Sequence, residues 1–178
     1  MKLLIPKNLF KEIKEYCLSS LSKRPRKAFG LIFGIKSNNI WITQKVIIEG
    51  LKDISRNPDI WPEIEKIFEN YGWPQCSCPR EDMGFVIDSK DIKKIIEENQ
   101  SMDLLAIFHL HPCEHRDDQS PEIPSPVDRV LHCDREGQVL SIIVHATPKE
   151  GLKSFRAFKI LDSGTDLPNW VEVEVECV

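Results

Sequence analysis

Helical and strand-like segments alternate irregularly along this chain, which predicts an α/β (α+β) fold: a three-layer sandwich in which helices flank a twisted mixed β-sheet. Three observations carry that expectation. Apolar residues recur at helical spacing after Pro6 and again after Asp88. Short apolar runs bounded by turn residues lie between these stretches and follow them. The 178 residues are enough for one domain spanning 1–178, which buries roughly 70 % of the surface of its unfolded chain.

The first helix should follow Pro6, with Leu9, Phe10, Ile13, Tyr16, Cys17 and Leu21 on one face. It ends before the polar Ser22-Lys23-Arg24-Pro25. Ala28 to Ile35 is a short apolar run with two glycines and reads as a buried strand. Ser37-Asn38-Asn39 makes a turn, and Ile40–Ile48 is its hairpin partner. Ile64, Ile67 and Phe68 suggest a short helix, followed by a loop rich in Trp, Pro and Cys. A strand is expected at Met83–Ile87, then a helix capped by Asp88 that carries Ile92, Ile95 and Ile96. Leu104–Leu110, Val139–His145, Arg156–Leu161 and Val171–Cys177 complete the strands.

Composition narrows the function class. Hydrophobic residues at 41 % and charged residues at 29 % exclude disorder, collagen and a membrane bundle. Lys+Arg 24 against Asp+Glu 28 leaves a net charge of −4, without the basic footprint of a nucleic-acid binder. The first apolar run stops at Pro6, too short for a secretory signal, and no stretch approaches a membrane span of about 20 apolar residues. A cytoplasmic protein is therefore expected, with its six cysteines reduced. Together with five histidines they are enough for a metal site.

The strand Leu104–Phe108 runs into His109-Leu110-His111-Pro112. Residues i and i+2 of a strand share a face, so both imidazoles aim at one spot, and Pro112 ends the strand there. Two convergent imidazoles are half of a zinc site. Pro124-Ser125-Pro126-Val127-Asp128 then has Ser at an N-cap, Pro at N1 and Asp at N3, so a helix begins there with Asp128 in its first turn as a candidate third ligand. Each half has an ordinary reading: strand alternation for the pair, a capping box for Ser-x-x-Asp. The combination is uncommon and has a mechanism attached.

At these residues the chain resembles the JAMM family of zinc isopeptidases, also called MPN or Mov34/PAD-1. The family motif is an early Glu, then His-x-His-Pro, then Ser-x-x-Asp. The Gly30–Gly34 strand, Phe85-Val86-Ile87-Asp88, Leu105–Phe108, Ile142-Ile143-Val144 and Phe155–Ile160 also look like family landmarks. The resemblance runs from about Ile5 to the end. It implies a cytidine-deaminase-like layout and one Zn²⁺ held by His109, His111 and Asp128, with a fourth position for water. It also implies that Ser125 stabilises an oxyanion and that the bond hydrolysed, peptide or isopeptide, follows the tail of a ubiquitin-like protein. Small stand-alone prokaryotic members are the nearest in layout; in them such a tail pairs with a sheet edge beside the zinc. Small-molecule substrates occur among relatives as well.

One departure is serious. The family's general-base Glu lies three residues before the first glycine of the early strand, and counting back from Gly30 lands on Lys27. An ammonium accepts no proton. The chain is then a catalytically impaired or inactive MPN-like recognition module, or another carboxylate substitutes, or a neutralised Lys27 is the base. Substitutes lie in the extended 113–124 loop (Glu114, Asp117, Asp118, Glu122), with Glu114 nearest the motif; Glu49 is a weaker choice, and the loop also reads as a solvated charged surface. A further metal reading joins Cys76, Cys78, Cys113 and His115 in a structural zinc site, against the plain reading of reduced thiols. His132 and His145 carry no motif.

Overall fold

Strand β1 (Lys2–Ile5) decides the architecture, because it pairs in parallel with β3 (Ile40–Ile47) on one side and with β7 (Asn169–Cys177) on the other. The computed structural model describes residues 1–73, 78–112, 121–131, 138–162 and 166–178. Between those partners run β2 (Phe29–Ser37), β4 (Asp103–His111), β5 (Leu140–Thr147) and β6 (Gly151–Leu161), in the order β1-β3-β2-β4-β5-β6-β7. The sheet closes on itself. This corrects the expected three-layer sandwich of cytidine-deaminase-like layout: the protein is a closed, mixed seven-stranded barrel with few helices. Four residues ahead of a helix are too short to display a strand period, so the element that closes the barrel left no pattern to read. Leu3 and Ile5 are nonetheless fully buried, and the backbone amide of Val178 donates to the carbonyl of Ile5 at 3.0 Å.

Helix α1 (Lys7–Ser20) places Ile13 and Cys17 in the main core with Leu3, Ile5, Ile32, Phe108, Ile142, Val144 and Ala157. Successive residues of β2 serve opposite faces. Ile32 joins that core, whereas Phe29, Leu31 and Phe33 join Phe85, Ile87 and Ile95 of a second cluster. Gly34 sits where β3 passes closest, since a Cβ there would lie 2.0 Å from the carbonyl oxygen of Ile42. Helix α2 (Trp61–Tyr71) contributes Ile64 and Phe68 to a third cluster with Val127. Helix α3 (Ser89–Glu98) is capped as expected, with the Asp88 carboxylate accepting from the amide of Lys90 at 3.0 Å.

The strand expected at Met83–Ile87 is not one. Arg80–Asp82 form a 3₁₀ turn, Gly84 takes a φ of 64° that breaks the extended run, and Ile87 makes an isolated bridge with Asp53. Among the described residues no helix is long and apolar enough to cross a membrane.

Closure by β1 has an energetic signature. Leu3→Ala should lower the unfolding free energy in urea titrations by about 2–5 kcal/mol, the usual loss for a buried Leu. Ile40→Ala on the exposed side of β3 should stay within about 0.5 kcal/mol. Equally small losses for both would mean that β1 adds nothing to closure.

Candidate metal centre

His109 and His111 stand on the same side of β4, two residues apart. That strand is held on both sides: by β2, where Phe29 pairs with His109, and by β5, where His111 pairs with His145. Among the described residues, therefore, no free sheet edge adjoins the two rings on which an extended tail could add a strand. His109 is 3 % exposed and packs against Phe85 with ring centres 4.6 Å apart. Helix α4 (Pro126–Leu131) supplies Asp128 from its first turn. The capping box forms as the sequence predicts: the Ser125 amide donates to Asp128 Oδ2 at 2.7 Å, and the Asp128 amide donates to Ser125 Oγ at 3.3 Å. The same carboxylate that caps the helix thus also faces the histidines.

Asp128 Oδ1 lies 3.0 Å from His109 Nε2, and Asp128 Oδ2 lies 3.3 Å from His111 Nε2. The two Nε2 atoms are 2.9 Å apart. Among the described residues these three side chains form a cluster able to hold a metal ion, with all ligand atoms within 4.8 Å of one another. Four-coordinate zinc with bonds of about 2.0–2.1 Å separates its ligand atoms by roughly 3.3 Å, so the observed spacing needs little adjustment. The tautomer is also suitable. His111 Nδ1 lies 2.7 Å from the carbonyl oxygen of Pro121, which only accepts, so Nδ1 carries the proton and Nε2 presents its lone pair. His111 Nε2 and the Asp128 carboxylate both face His109 Nε2, where its proton or a cation bridges them, and the donor set fits a divalent metal.

Protonation states agree with that use. Burial alone would push Asp128 up, but His109 and His111 outweigh it and hold the carboxyl well below the usual carboxylate range. Burial pushes His109 below the ordinary histidine value, against the pull of Asp128. At neutral pH the site therefore holds neutral imidazole and a charged carboxylate, the forms that ligate metal.

A cavity of about 70 Å³ opens onto the cluster, bounded by Lys27, Phe29, Phe85, His109, His111 and Ser125 among others. Ser125 borders the same cavity, and its hydroxyl proton reaches no acceptor among the described residues. Lys27 is also here. Its Nζ donates to Asp53 Oδ2 at 2.5 Å and to Ser55 Oγ at 2.9 Å, with the side chain only 8 % exposed. Asp53 Oδ1 accepts from the amides of Ser55 and Val86 at 2.9 and 3.1 Å. Burial lowers the pKa of Lys27 while Asp53 opposes the shift; for Asp53, Lys27 outweighs burial and keeps the carboxyl below its usual value.

The remaining candidates are placed as follows. Glu49 lines a different groove with Lys45, Asp91 and Lys94, away from the cluster. Glu122 faces His145, with Oε1 3.6 Å from Nδ1, and Arg156 at 3.7 Å. Cys78 is buried on the cavity wall and accepts from Arg26 Nη2 at 3.5 Å. Cys76, Cys113, Glu114, His115, Asp117, Asp118 and His132 lie outside the described residues. Sequence reasoning missed Asp53, Ser55 and Asp82. The first two carry a local signal, since Asp-x-Ser is an Asx-turn pattern. Asp82, buried against Arg26 with its Oδ2 2.7 Å from Nε, carries none.

No family model matches the chain, and no curated protein does. Among solved structures the chain is similar to protein DSY2949 from Desulfitobacterium hafniense, a structural-genomics target determined in solution. The TM-score is 0.58 at 14 % identity, over 99 % of this chain and 94 % of that one. That likeness speaks to fold alone.

The buried histidines give the metal-free protein an acid-sensitive stability. His109 and His145 both have pKa values lowered by burial from 6.5, so the unfolded chain takes up their protons first. Stability should fall as pH drops below about 6.5, and again below about 3.8 as Asp128 protonates on unfolding. Urea titrations across this range check it: His109→Asn should remove part of the upper step, and a flat profile from pH 7.5 to 5 would contradict the assignment.

Proposed function

We propose that this chain is a metal-dependent hydrolase domain in which His109, His111 and Asp128 hold one Zn²⁺, and that it acts on the peptide or isopeptide bond after the tail of a ubiquitin-like protein. The observation that carries the reading is the convergence of those three ligand atoms, with spacing and tautomer suited to zinc, at a His-x-His-Pro and Ser-x-x-Asp pattern like that of the JAMM family. It rests on motif and ligand geometry, and does not need the layered sandwich that the resemblance implied. When bound, a zinc ion with an open position polarises a carbonyl and brings the pKa of water toward neutrality. The residues do the rest. His109 is locked by Phe85, His111 by the Pro121 carbonyl and Asp128 by the Ser125 amide, so the ligands are oriented before the metal arrives. Ser125 supplies a hydroxyl proton to a developing oxyanion. The apolar wall of Phe29, Phe68 and Phe85 seats the tail and excludes water.

A second reading has its own observation. Lys27 stands where the family pattern has its general base, and its bonds to Asp53 and Ser55 hold it as an ammonium. An MPN-like module without a base recognises a partner and does not cut it.

Metal analysis and kinetics separate these readings. Wild type should retain close to one zinc per chain, and Asp128→Ala should lose it. Lys27→Glu alone would set a second carboxylate against Asp53, so the informative variant pairs it with Asp53→Asn. That double variant should raise hydrolysis of a ubiquitin-like fusion by about 10²–10⁴, the usual worth of a general base. Wild-type turnover already at that level would point to another carboxylate, and Glu114→Gln should then abolish it. A wild type without zinc would end the hydrolase reading.

A further inference from the structure

The Lys27 side chain lines the same cavity as the metal cluster. Phe29 pairs with His109, and the Leu110 amide donates to the Ala28 carbonyl at 2.8 Å, which brings the chain just before β2 alongside the end of β4. Lys27, Phe29 and His109 border that cavity together. An ammonium has three N–H donors. Two are given to Asp53 and Ser55, and the third has no acceptor among the described residues. Lys27 and Ser125 both border the cavity that holds the metal ligands, so one ammonium proton and one hydroxyl proton remain to be donated there.

Charge counting says what the cavity is built to take. A divalent ion on two neutral histidines and Asp128 leaves a net charge of +1. Among the described residues Lys27 is matched by Asp53, and Asp82 is shared by the buried Arg26 and the exposed Arg24. A buried site with one uncompensated positive charge is costly unless an anion joins it. Asp53 cannot supply that charge: its Oδ1 already accepts two amides and its Oδ2 the ammonium.

We infer that the cavity binds a small oxyanion, a carboxylate or a phosphate, held between the metal position and the Lys27 ammonium. The inference rests on the metal reading above and deepens it by naming the group the site recognises. The carboxylate that hydrolysis leaves at the end of the released tail is such an anion, and Lys27 selects it. Asp53 and Ser55 are positioning residues that hold the ammonium in place.

The test uses the full-length protein loaded with Co²⁺, whose visible absorption changes when an anion enters the open coordination position. Acetate and inorganic phosphate are titrated separately into wild type, Lys27→Met and Lys27→Gln, which distinguishes a carboxylate from a phosphate site. Loss of one charge-assisted hydrogen bond should weaken binding of the preferred anion by about tenfold or more in both variants. Cobalt affinity should be unchanged. If Lys27→Met does not fold, Lys27→Gln with Asp53→Asn keeps an amide pair in place of the ion pair and should show the same loss. Equal anion affinity in wild type and variants, with cobalt bound in each, would overturn the inference and leave the metal reading intact. Failure of wild type to take up cobalt would overturn both.

Discussion

Antiparallel pairing of β2 with β4 sets Phe29 against His109, and the site is assembled around that register. Side chains alternate with a period of two, so a slip of one residue would turn both histidines into the core that α1 shares with Ile32 and Phe108. The register cannot slip freely. Phe29, Leu31 and Phe33 are committed to the cluster under Phe85 and Ile95, and Ile32, Ala106 and Phe108 to the opposite one. β5 pins the far side of β4 as far as His111. Apolar packing along the barrel wall therefore fixes the distance between two polar rings at its end.

Asp128 comes from a different part of the chain, and its placement has a local cause. The capping box with Ser125 turns its carboxylate back toward the helix start, which is also where the histidine rings point. The capping box that Ser-x-x-Asp predicts is formed, and the carboxylate that closes it is the one that faces the histidines. A helix cap places a carboxylate reproducibly, and that reproducibility is what a metal ligand needs.

Much of this was legible from the residues because it follows from spacing. The i, i+2 rule gave the shared face of His109 and His111, the capping pattern gave Asp128, and apolar periodicity located α1, α3 and the β2–β3 hairpin. Two things were not legible. Barrel closure depends on β1, whose four residues show no period and whose partners lie at residues 40–42 and 174–177. The environment of Lys27 depends on Asp53 and Ser55, in an irregular segment brought to it only by the tertiary fold. The sequence marked Lys27 as a departure from a pattern. The structure adds that the lysine is held by a carboxylate and a hydroxyl on the wall of the same cavity, a built arrangement in place of a vacant base position.

The central claim is that two imidazoles and one carboxylate bind metal here, independently of any cysteine. X-ray absorption at the zinc edge of the metal-loaded protein tests it most directly. The account predicts a first shell of nitrogen and oxygen at about 2.0–2.2 Å, with the multiple-scattering signature of two imidazoles and no sulfur. A sulfur shell at about 2.3 Å would place the metal on the cysteines and contradict the account.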